Sequence, residues 1–189
     1  MTKKARWLMA LLLAAVASHA ALAQKVKLAT SMGDVVIQLE ADKAPKTAAN
    51  FVQYVKDGHY DGLVFHRVIG GFMIQGGGYD ADMKEKPTRP SIPLESRNGL
   101  SNLRGTVAMA RTSVPDSASS QFFINVVDNP RLDAANSPDG NGYAVFGKVV
   151  SGMDVVDKIR EVPVANKAGH QNVPQQPVVI RKATLESSK

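Results

Sequence analysis

Short apolar segments separated by turn signals recur along most of this chain, and this pattern is its strongest constraint on the fold. Within 34–40, Val35, Ile37 and Leu39 alternate with Val36, Gln38 and Glu40. Such a period of two is typical of a β-strand with one buried face. The same pattern occurs in these segments: 26–30, 34–40, 63–69, 72–75, 105–111, 121–127, 143–150 and 177–185. Many short strands without intervening helices predict an all-β barrel or sandwich.

Two segments follow a helical period instead. In 44–58, Pro45 stands at a suitable first helical position and Gly58 can end the helix. In 151–163, apolar residues fall on one helical face before Pro163. We expect both helices to cover the ends of the barrel.

Two long polar segments complete the chain. Segment 79–104 is polar and contains Pro87, Pro90 and Pro93, and segment 128–142 is a second long loop. Loops of this length in a compact domain usually have structure of their own or contribute to a functional site. Either segment could therefore line the edge of a site.

The first 23 residues have the pattern of a cleavable signal peptide. A basic start is followed by an apolar run at 7–17 and by small residues ending at Ala23. The alternative, a membrane anchor, is disfavoured because the run is short for a bilayer span. We expect a signal peptide at 1–23, a single domain at 24–189, and no stable membrane association after cleavage.

The charge balance argues against a nucleic-acid-binding surface. The full chain has 23 Lys and Arg against 17 Asp and Glu, and three of the basic residues lie in the segment at 1–23. The remainder therefore carries a mild excess of +3 rather than a clustered basic patch. The chain has no cysteine, so no disulfide supports the fold and the hydrophobic core must do so alone.

The stretch 65–78 contains the most informative candidate, Arg67, in an otherwise apolar strand. Strand alternation places Arg67 on one face with Phe65 and Ile69, and His66 on the opposite face. An arginine there could simply extend to solvent from apolar surroundings. The alternative is an outer apolar patch with Arg67 at its edge. That patch would contain Phe72, Met73 and Phe123, with Gln75 beside Arg67.

At these residues the chain resembles the cyclophilin family of peptidyl-prolyl cis-trans isomerases. The similarity runs from about Val26 to Leu185 and includes "FHRVIGGFMIQGG", "GTVAMAR", "SQFFIN" and "VFGKVVSGMDVVDKI". With the signal peptide, it is similar in particular to the periplasmic cyclophilins of Gram-negative bacteria. The resemblance implies a closed eight-stranded antiparallel β-barrel capped by two α-helices, and a periplasmic location.

The resemblance also implies a set of site residues. Arg67 matches the catalytic arginine, and Gln75 matches the glutamine that supports it. Phe72, Met73, Phe123 and Leu132 match the pocket for the substrate proline. Ala110, Arg111 and Gln121 lie where the family grips the peptide, largely through backbone groups. The family requires no cofactor or metal.

Two positions depart from many cytosolic members of the family. Arg131 stands where these have tryptophan, and Tyr143 where they have histidine. Tyr143 could line the pocket or only begin a strand. Because tight binders of cyclosporin A usually have the tryptophan, we expect weak binding of that ligand here.

The implied activity is rotation about X-Pro bonds in proline-containing peptides and unfolded exported proteins, by a monomer. An alternative is a chaperone module that binds proline peptides in the same groove with little turnover. A hydrolase is disfavoured, because Ser119 and Ser120 lie in no nucleophile-elbow motif. The run at 75–78 lacks the lysine of a phosphate loop, so its glycines indicate turns. We expect His66 to be structural.

Overall fold

A computed structural model describes residues 24–186, so the predicted signal peptide lies outside the described residues. Eight strands form one antiparallel sheet, and two more form a separate hairpin. The sheet contains β1 (Lys25–Thr30), β2 (Gly33–Leu39), β3 (Phe65–Ile69), β4 (Met73–Gly76), β5 (Thr106–Met109), β6 (Phe122–Asn125), β7 (Val145–Ser151) and β10 (Ile180–Glu186), and the hairpin contains β8 (Val164–Lys167) and β9 (His170–Pro174). The strand order in the sheet is β10-β1-β2-β7-β5-β6-β4-β3.

The sheet curls until its two edge strands, β3 and β10, approach each other. Phe65 N donates to Val178 O at 2.9 Å, and Ile180 N donates to Leu63 O at 2.8 Å. One isolated bridge, between Val64 and Val179, forms at this seam. The eight antiparallel strands are as predicted, but the barrel is a strongly curled sheet with a short seam rather than a fully paired cylinder.

The alternation in the sequence corresponds to the inner face of this sheet. Val35, Ile37 and Leu39 are all buried, whereas Val36 and Gln38 are partly exposed. This inward face forms the main hydrophobic core together with apolar residues of both helices. Burial of these side chains is the dominant favourable contribution to folding, and the chain has no cysteine that could add a disulfide.

The two predicted helices are present and slightly shorter than expected. Helix α1 is Pro45–Lys56 and packs against β7 and β10, with Phe51 at the centre of the core. Pro45 lies in its first turn as predicted, because proline has no N–H that needs an intrahelical partner there. Helix α2 is Met153–Arg160 and packs against β2, β3 and β4.

The first long loop has a structural role at helix α1. The Glu95 carboxylate accepts hydrogen bonds from Lys46 N at 3.1 Å, Thr47 N at 2.8 Å and Thr47 Oγ1 at 2.7 Å. These backbone N–H groups have no partner within the helix, and the positive end of the helix dipole favours a carboxylate. Glu95 therefore caps α1 from 48 residues away in sequence.

A bulge in β3 overturns the predicted alternation at one point. Phe65 pairs with Gly76 and Arg67 pairs with Gln75, so His66 is an extra residue on its strand. Phe65 consequently points into the main core, whereas Arg67 and Ile69 stay on the outer side. The prediction that Phe65 shares a face with Arg67 was wrong, because a bulge shifts the alternation by one residue.

Strands β8 and β9 were not predicted. All four residues of β8 are exposed, so this strand shows no alternation between buried and exposed positions. Two antiparallel strands that bury little apolar surface leave no periodic signal in the sequence. The hairpin packs beside β3, close to Arg67.

Candidate active site

Arg67 lies on the outer surface of the barrel, where a chain of side-chain amides orients it. Its Nη1 donates to Gln75 Oε1 at 3.2 Å, and Gln75 Nε2 donates to Gln121 Oε1 at 3.0 Å. Arg67 lies in β3, Gln75 lies in β4, and Gln121 immediately precedes β6; these three strands are neighbours in the sheet. The pairing of these strands therefore determines the direction of the guanidinium.

An apolar pocket of about 190 Å³ adjoins this arginine. Met73, Ala108, Phe123 and Val145 are buried beneath it and form a second hydrophobic cluster, separate from the main core. The residues around the pocket are Arg67, Phe72, Met73, Gln75, Ala110, Arg111, Phe123, Leu132 and Tyr143.

All ten predicted site residues therefore lie together. Nine line the pocket, and the tenth, Gln121, is hydrogen-bonded to Gln75. Tyr143, which could have been only the start of a strand, lies before β7 and lines the pocket. Its ring meets the Phe123 ring edge-on, with centroids 5.7 Å apart. The arrangement can hold a small apolar ring with a fixed cation at one side.

The Arg111 side chain is turned into the protein. Only 3% of it is exposed, and its Nε donates to Gly142 O at 2.8 Å while Nη2 pairs with Asp139. Hydrogen bonds from the Asn141 backbone, and then from Arg111, hold the pKa of the Asp139 carboxyl well below its usual range. The Arg111 guanidinium therefore has partners within the protein and is not free for a ligand.

Arg131 lies at the edge of the pocket, at the position where many cytosolic members of the resembled family have tryptophan. It is exposed, and its guanidinium carbon lies 5.0 Å from the centre of the Phe72 ring. A guanidinium at this distance makes a cation–π contact with the ring. The edge of the pocket at Phe72 is thus covered by a charged group.

The glycines after Gln75 allow close approach of neighbouring strands. A side chain at Gly78 would come within 2.7 Å of the Gln121 side chain, and Gly77 has a φ of +88° that favours glycine. Gln121 can occupy its position beside Gln75 only because Gly78 leaves that space. These glycines serve the turn and the packing, as the sequence indicated.

A network of buried polar side chains beneath the pocket was not predicted from the sequence. Asn129 Nδ2 donates to Phe72 O and to Asn125 Oδ1, both at 2.8 Å. Asn125 Nδ2 donates to Asn102 Oδ1 at 3.2 Å, and Asn102 donates in turn to Asp133 Oδ1 at 2.9 Å. This network ties the loop 128–142, which contains Leu132, to the barrel. The available signal was Asn125 in an apolar strand, because a buried amide needs partners.

His66 lies beside Arg67 rather than on the opposite face. It is buried, and it lines the same outer cavity as Arg67 because the bulge in β3 turns both residues outward. Burial, more than the nearby His170 and Arg67, lowers the pKa of His66 to about 4. The imidazole is therefore neutral at neutral pH and adds no second charge next to Arg67.

Two negative findings concern the described part of the chain. Residues 24–186 contain no helix long and apolar enough to cross a membrane. The same residues contain no cluster of three or more His, Cys, Asp or Glu side chains that could hold a metal ion.

Comparisons with known proteins agree with this geometry. The family described as cyclophilin type peptidyl-prolyl cis-trans isomerase/CLD matches residues 25–185. The chain is 54% identical to a peptidyl-prolyl cis-trans isomerase of Acinetobacter baylyi over 91% of this chain and 90% of the relative. It is 53% identical to peptidyl-prolyl cis-trans isomerase B of Escherichia coli over 82% of this chain and 96% of the relative.

A solved structure has the same fold. A cyclophilin type peptidyl-prolyl cis-trans isomerase of Cryptosporidium parvum, crystallised in the presence of the dipeptide Ala-Pro, superimposes with a TM-score of 0.72. The two are 27% identical, and the match covers 87% of this chain and all of that chain. With its curled eight-stranded sheet, its two helices and these relatives, the chain belongs to the cyclophilin family of peptidyl-prolyl cis-trans isomerases.

Proposed function

We propose that this isomerase acts on X-Pro bonds of exported proteins in the periplasm, with Arg67 as its catalytic group. The observation that carries the catalytic role is the position of Arg67, held by Gln75 at the edge of an apolar pocket. The related Cryptosporidium protein was crystallised in the presence of Ala-Pro, which supports a proline ring as the occupant of that pocket.

The reaction needs no nucleophile, since no covalent bond forms or breaks. Rotation of an X-Pro amide is opposed by resonance, with a barrier of about 18–20 kcal/mol. At the twisted transition state the proline nitrogen becomes pyramidal and regains its lone pair. A hydrogen bond from the Arg67 guanidinium to that lone pair stabilises the twisted form more than the planar one. Arginine suits this role because its charge is permanent and its geometry rigid.

Arg67 cannot supply the whole acceleration. A hydrogen bond to a charged group contributes about 1.5–3 kcal/mol. An increase from ~0.01 to ~1,000 per second requires roughly 7 kcal/mol, at 1.36 kcal/mol per tenfold. The apolar floor of Met73 and Phe123 contributes the rest by anchoring the ring while the preceding carbonyl rotates. Exclusion of water from this floor also strengthens the field of the guanidinium.

The setting of the reaction rests on the sequence. The signal-peptide pattern at 1–23 supports export, and the relatives support a substrate that contains proline. We propose unfolded exported proteins as substrates, a monomer as the working form, and no nucleic-acid partner. We propose weak cyclosporin A binding because Arg131 places a charge on Phe72, at the edge of the pocket.

A protease-coupled assay on X-Pro peptides with residues 24–189 tests the role of Arg67. We expect Arg67→Ala to lower kcat/KM by about 10- to 100-fold, mainly through kcat, because the contact strengthens in the transition state. Arg181→Ala is the matched control, since Arg181 is exposed on β10. Full activity of Arg67→Ala would overturn the mechanism. Binding without turnover in the unmodified protein would instead favour the chaperone alternative.

A further inference from the structure

A second cavity, of about 400 Å³, lies next to the proline pocket on the outer surface. Arg67 and Gln75 line both cavities, so the two are contiguous. The rest of the second cavity is formed by His66, Tyr79, Gln121 and the hairpin segment 169–172. We call this second cavity the side cavity. The mechanism proposed above uses Arg67 and Gln75, but it places no part of the substrate in the side cavity.

The wall of the side cavity is held in place by ring packing. The Tyr79 ring lies between two histidines, with centroid distances of 4.7 Å to His66 and 4.9 Å to His170. Lys167 Nζ also donates to Ala81 O at 2.7 Å, which ties the β8–β9 hairpin to the loop after β4. Packing of the rings and this hydrogen bond therefore hold the walls of the side cavity in a defined position.

The lining of the side cavity is polar, and its fixed charge is positive. It presents side-chain amides of Gln75, Gln121, Gln171 and Asn172, together with the Arg67 guanidinium. No carboxylate is among the residues that line it. The hydrogen bond to Gln75 uses one of the five N–H groups of Arg67, so others can serve a ligand. An apolar occupant would leave these groups without partners, which is unfavourable.

The shared lining residues place this cavity within reach of a peptide bound at the apolar pocket. A proline in the apolar pocket would lie beside Arg67, and Arg67 also lines the side cavity. Consecutive residues of an extended chain are about 3.3–3.6 Å apart, so a residue within two positions of the proline reaches the side cavity.

We propose that the side cavity is a subsite for the carboxylate side chain of an Asp or Glu that flanks the substrate proline. The inference rests on the role proposed for Arg67 and the pocket. A carboxylate there accepts hydrogen bonds from the side-chain amides and forms an ion pair with the Arg67 guanidinium. An ion pair at a partly exposed site contributes about 0.2–1 kcal/mol, so the expected preference is roughly 1.5- to 5-fold in KM.

The test uses a series of proline peptides measured by exchange spectroscopy. Leu, Gln and Glu are placed in turn at each of four positions, the two that precede the proline and the two that follow it. All other residues of the peptide are alanine. We expect Glu to give a KM lower than that of Gln and Leu, by about 1.5- to 5-fold, at one of these positions only. Equal values for all three residues at every position would overturn the proposal. An equal preference for Glu at every position would also overturn the proposal, because it would show that the protein responds only to the net charge of the peptide.

Two variants of the β8–β9 hairpin make the test specific. Gln171→Glu adds a carboxylate to the lining with little change in shape and should abolish or reverse the Glu preference. Asn166→Asp adds the same charge to β8, outside the cavity lining, and should retain the preference. Persistence of the preference in Gln171→Glu would place the subsite elsewhere and reject the proposal.

The outcomes for the two proposals remain distinguishable. Turnover of the all-alanine reference peptide, and its loss in Arg67→Ala, report on the proposed catalytic site. The ratio of KM values, or of Kd values from peptide titration, reports on the side cavity alone. A Glu preference in Kd without turnover would reject the catalytic proposal and keep the subsite.

Discussion

The Arg111 guanidinium carbon lies 4.7 Å from the centre of the Tyr143 ring, and Arg111 Nε donates to the carbonyl oxygen of the preceding residue, Gly142, at 2.8 Å. Tyr143 in turn packs edge-on against Phe123. Arg111 thus supports the Tyr143 wall of the proline pocket, while its own charge is paired with Asp139.

This relationship predicts that Arg111→Ala raises KM for X-Pro peptides. Without the guanidinium, Tyr143 and the segment 139–142 lose their support, so the pocket closes less well on the proline. We expect a rise of about threefold to tenfold in KM, on the scale of one lost hydrogen-bonded contact.

Steady-state kinetics with a thermal melt checks this prediction. Asp139→Asn is the matched control, because it removes the charge partner but leaves the Arg111 bond to Gly142 and the contact with Tyr143. The control should therefore change KM less. An unchanged KM in a folded Arg111→Ala protein would contradict a supporting role for this side chain.

Phe123→Ala should weaken substrate engagement. The ring is 4% exposed and belongs to the floor of the pocket. Loss of a buried aromatic side chain typically lowers the free energy of unfolding by about 3–5 kcal/mol and removes the apolar contact with proline. Exchange spectroscopy measures the kinetics, and urea unfolding measures stability. Phe123→Leu is the control that retains apolar volume, and unchanged kinetics in a folded alanine variant would place the pocket elsewhere.

The buried His66 should make the protein less stable as the pH falls from about 6.5 to about 4. Its pKa is about 4 in the folded state against 6.5 as the ordinary value, so the unfolded chain binds a proton first. The stabilisation is complete above the unfolded pKa and is lost as pH decreases toward the folded one. The difference between the unfolded and the folded pKa of His66 corresponds to about 3 kcal/mol in the free energy of unfolding.

Denaturant unfolding across this pH range tests the prediction. His66→Gln should lose most of the dependence, whereas a smaller slope in the same direction should remain from His59, whose pKa burial also lowers. Carboxylates such as Asp139, with its lowered pKa, act below this window and are common to both proteins. Equal slopes in the two proteins would show that His66 titrates normally.

Arg131→Trp should raise cyclosporin A sensitivity more than it raises turnover. The charged Arg131 head is well solvated, so placing a neutral apolar macrocycle against it leaves the lost hydration poorly compensated. An indole offers a flat apolar face and one N–H donor instead. Small peptides reach less of this edge and should respond less. Inhibition titrations of both proteins, with Arg181→Trp as a control, decide this. Tight inhibition of the unmodified protein would contradict the expectation.

Export should remove residues 1–23, which leaves Gln24 as the first residue. Mass spectrometry of the protein recovered from the periplasm of a producing cell measures the mature N-terminus. Replacing the small residues Ala21 and Ala23 with Asp should block cleavage, because signal peptidase needs small side chains there. Recovery of a membrane-bound form that retains the N-terminus would instead support the anchor interpretation.

The sequence by itself determined the fold class and the set of residues around the pocket. Alternation of apolar residues in segments such as 34–40 reports directly which face is buried, and both helices had clear boundary signals, as at Pro45 and Gly58 for α1. The site residues came from a motif whose order and spacing are specific. These features are local in the sequence, so they can be recognised before any tertiary contact is known.

Only the tertiary structure decided how those residues act on one another. The bulge at His66 depends on pairing between β3 and β4, and it turned His66 and Arg67 outward while Phe65 turned inward. The β8–β9 hairpin and the side cavity arise from elements distant in sequence, and the hairpin strands lack a periodic pattern. Long-range pairing and close packing leave no local signature, because each contact depends on where the rest of the chain has folded.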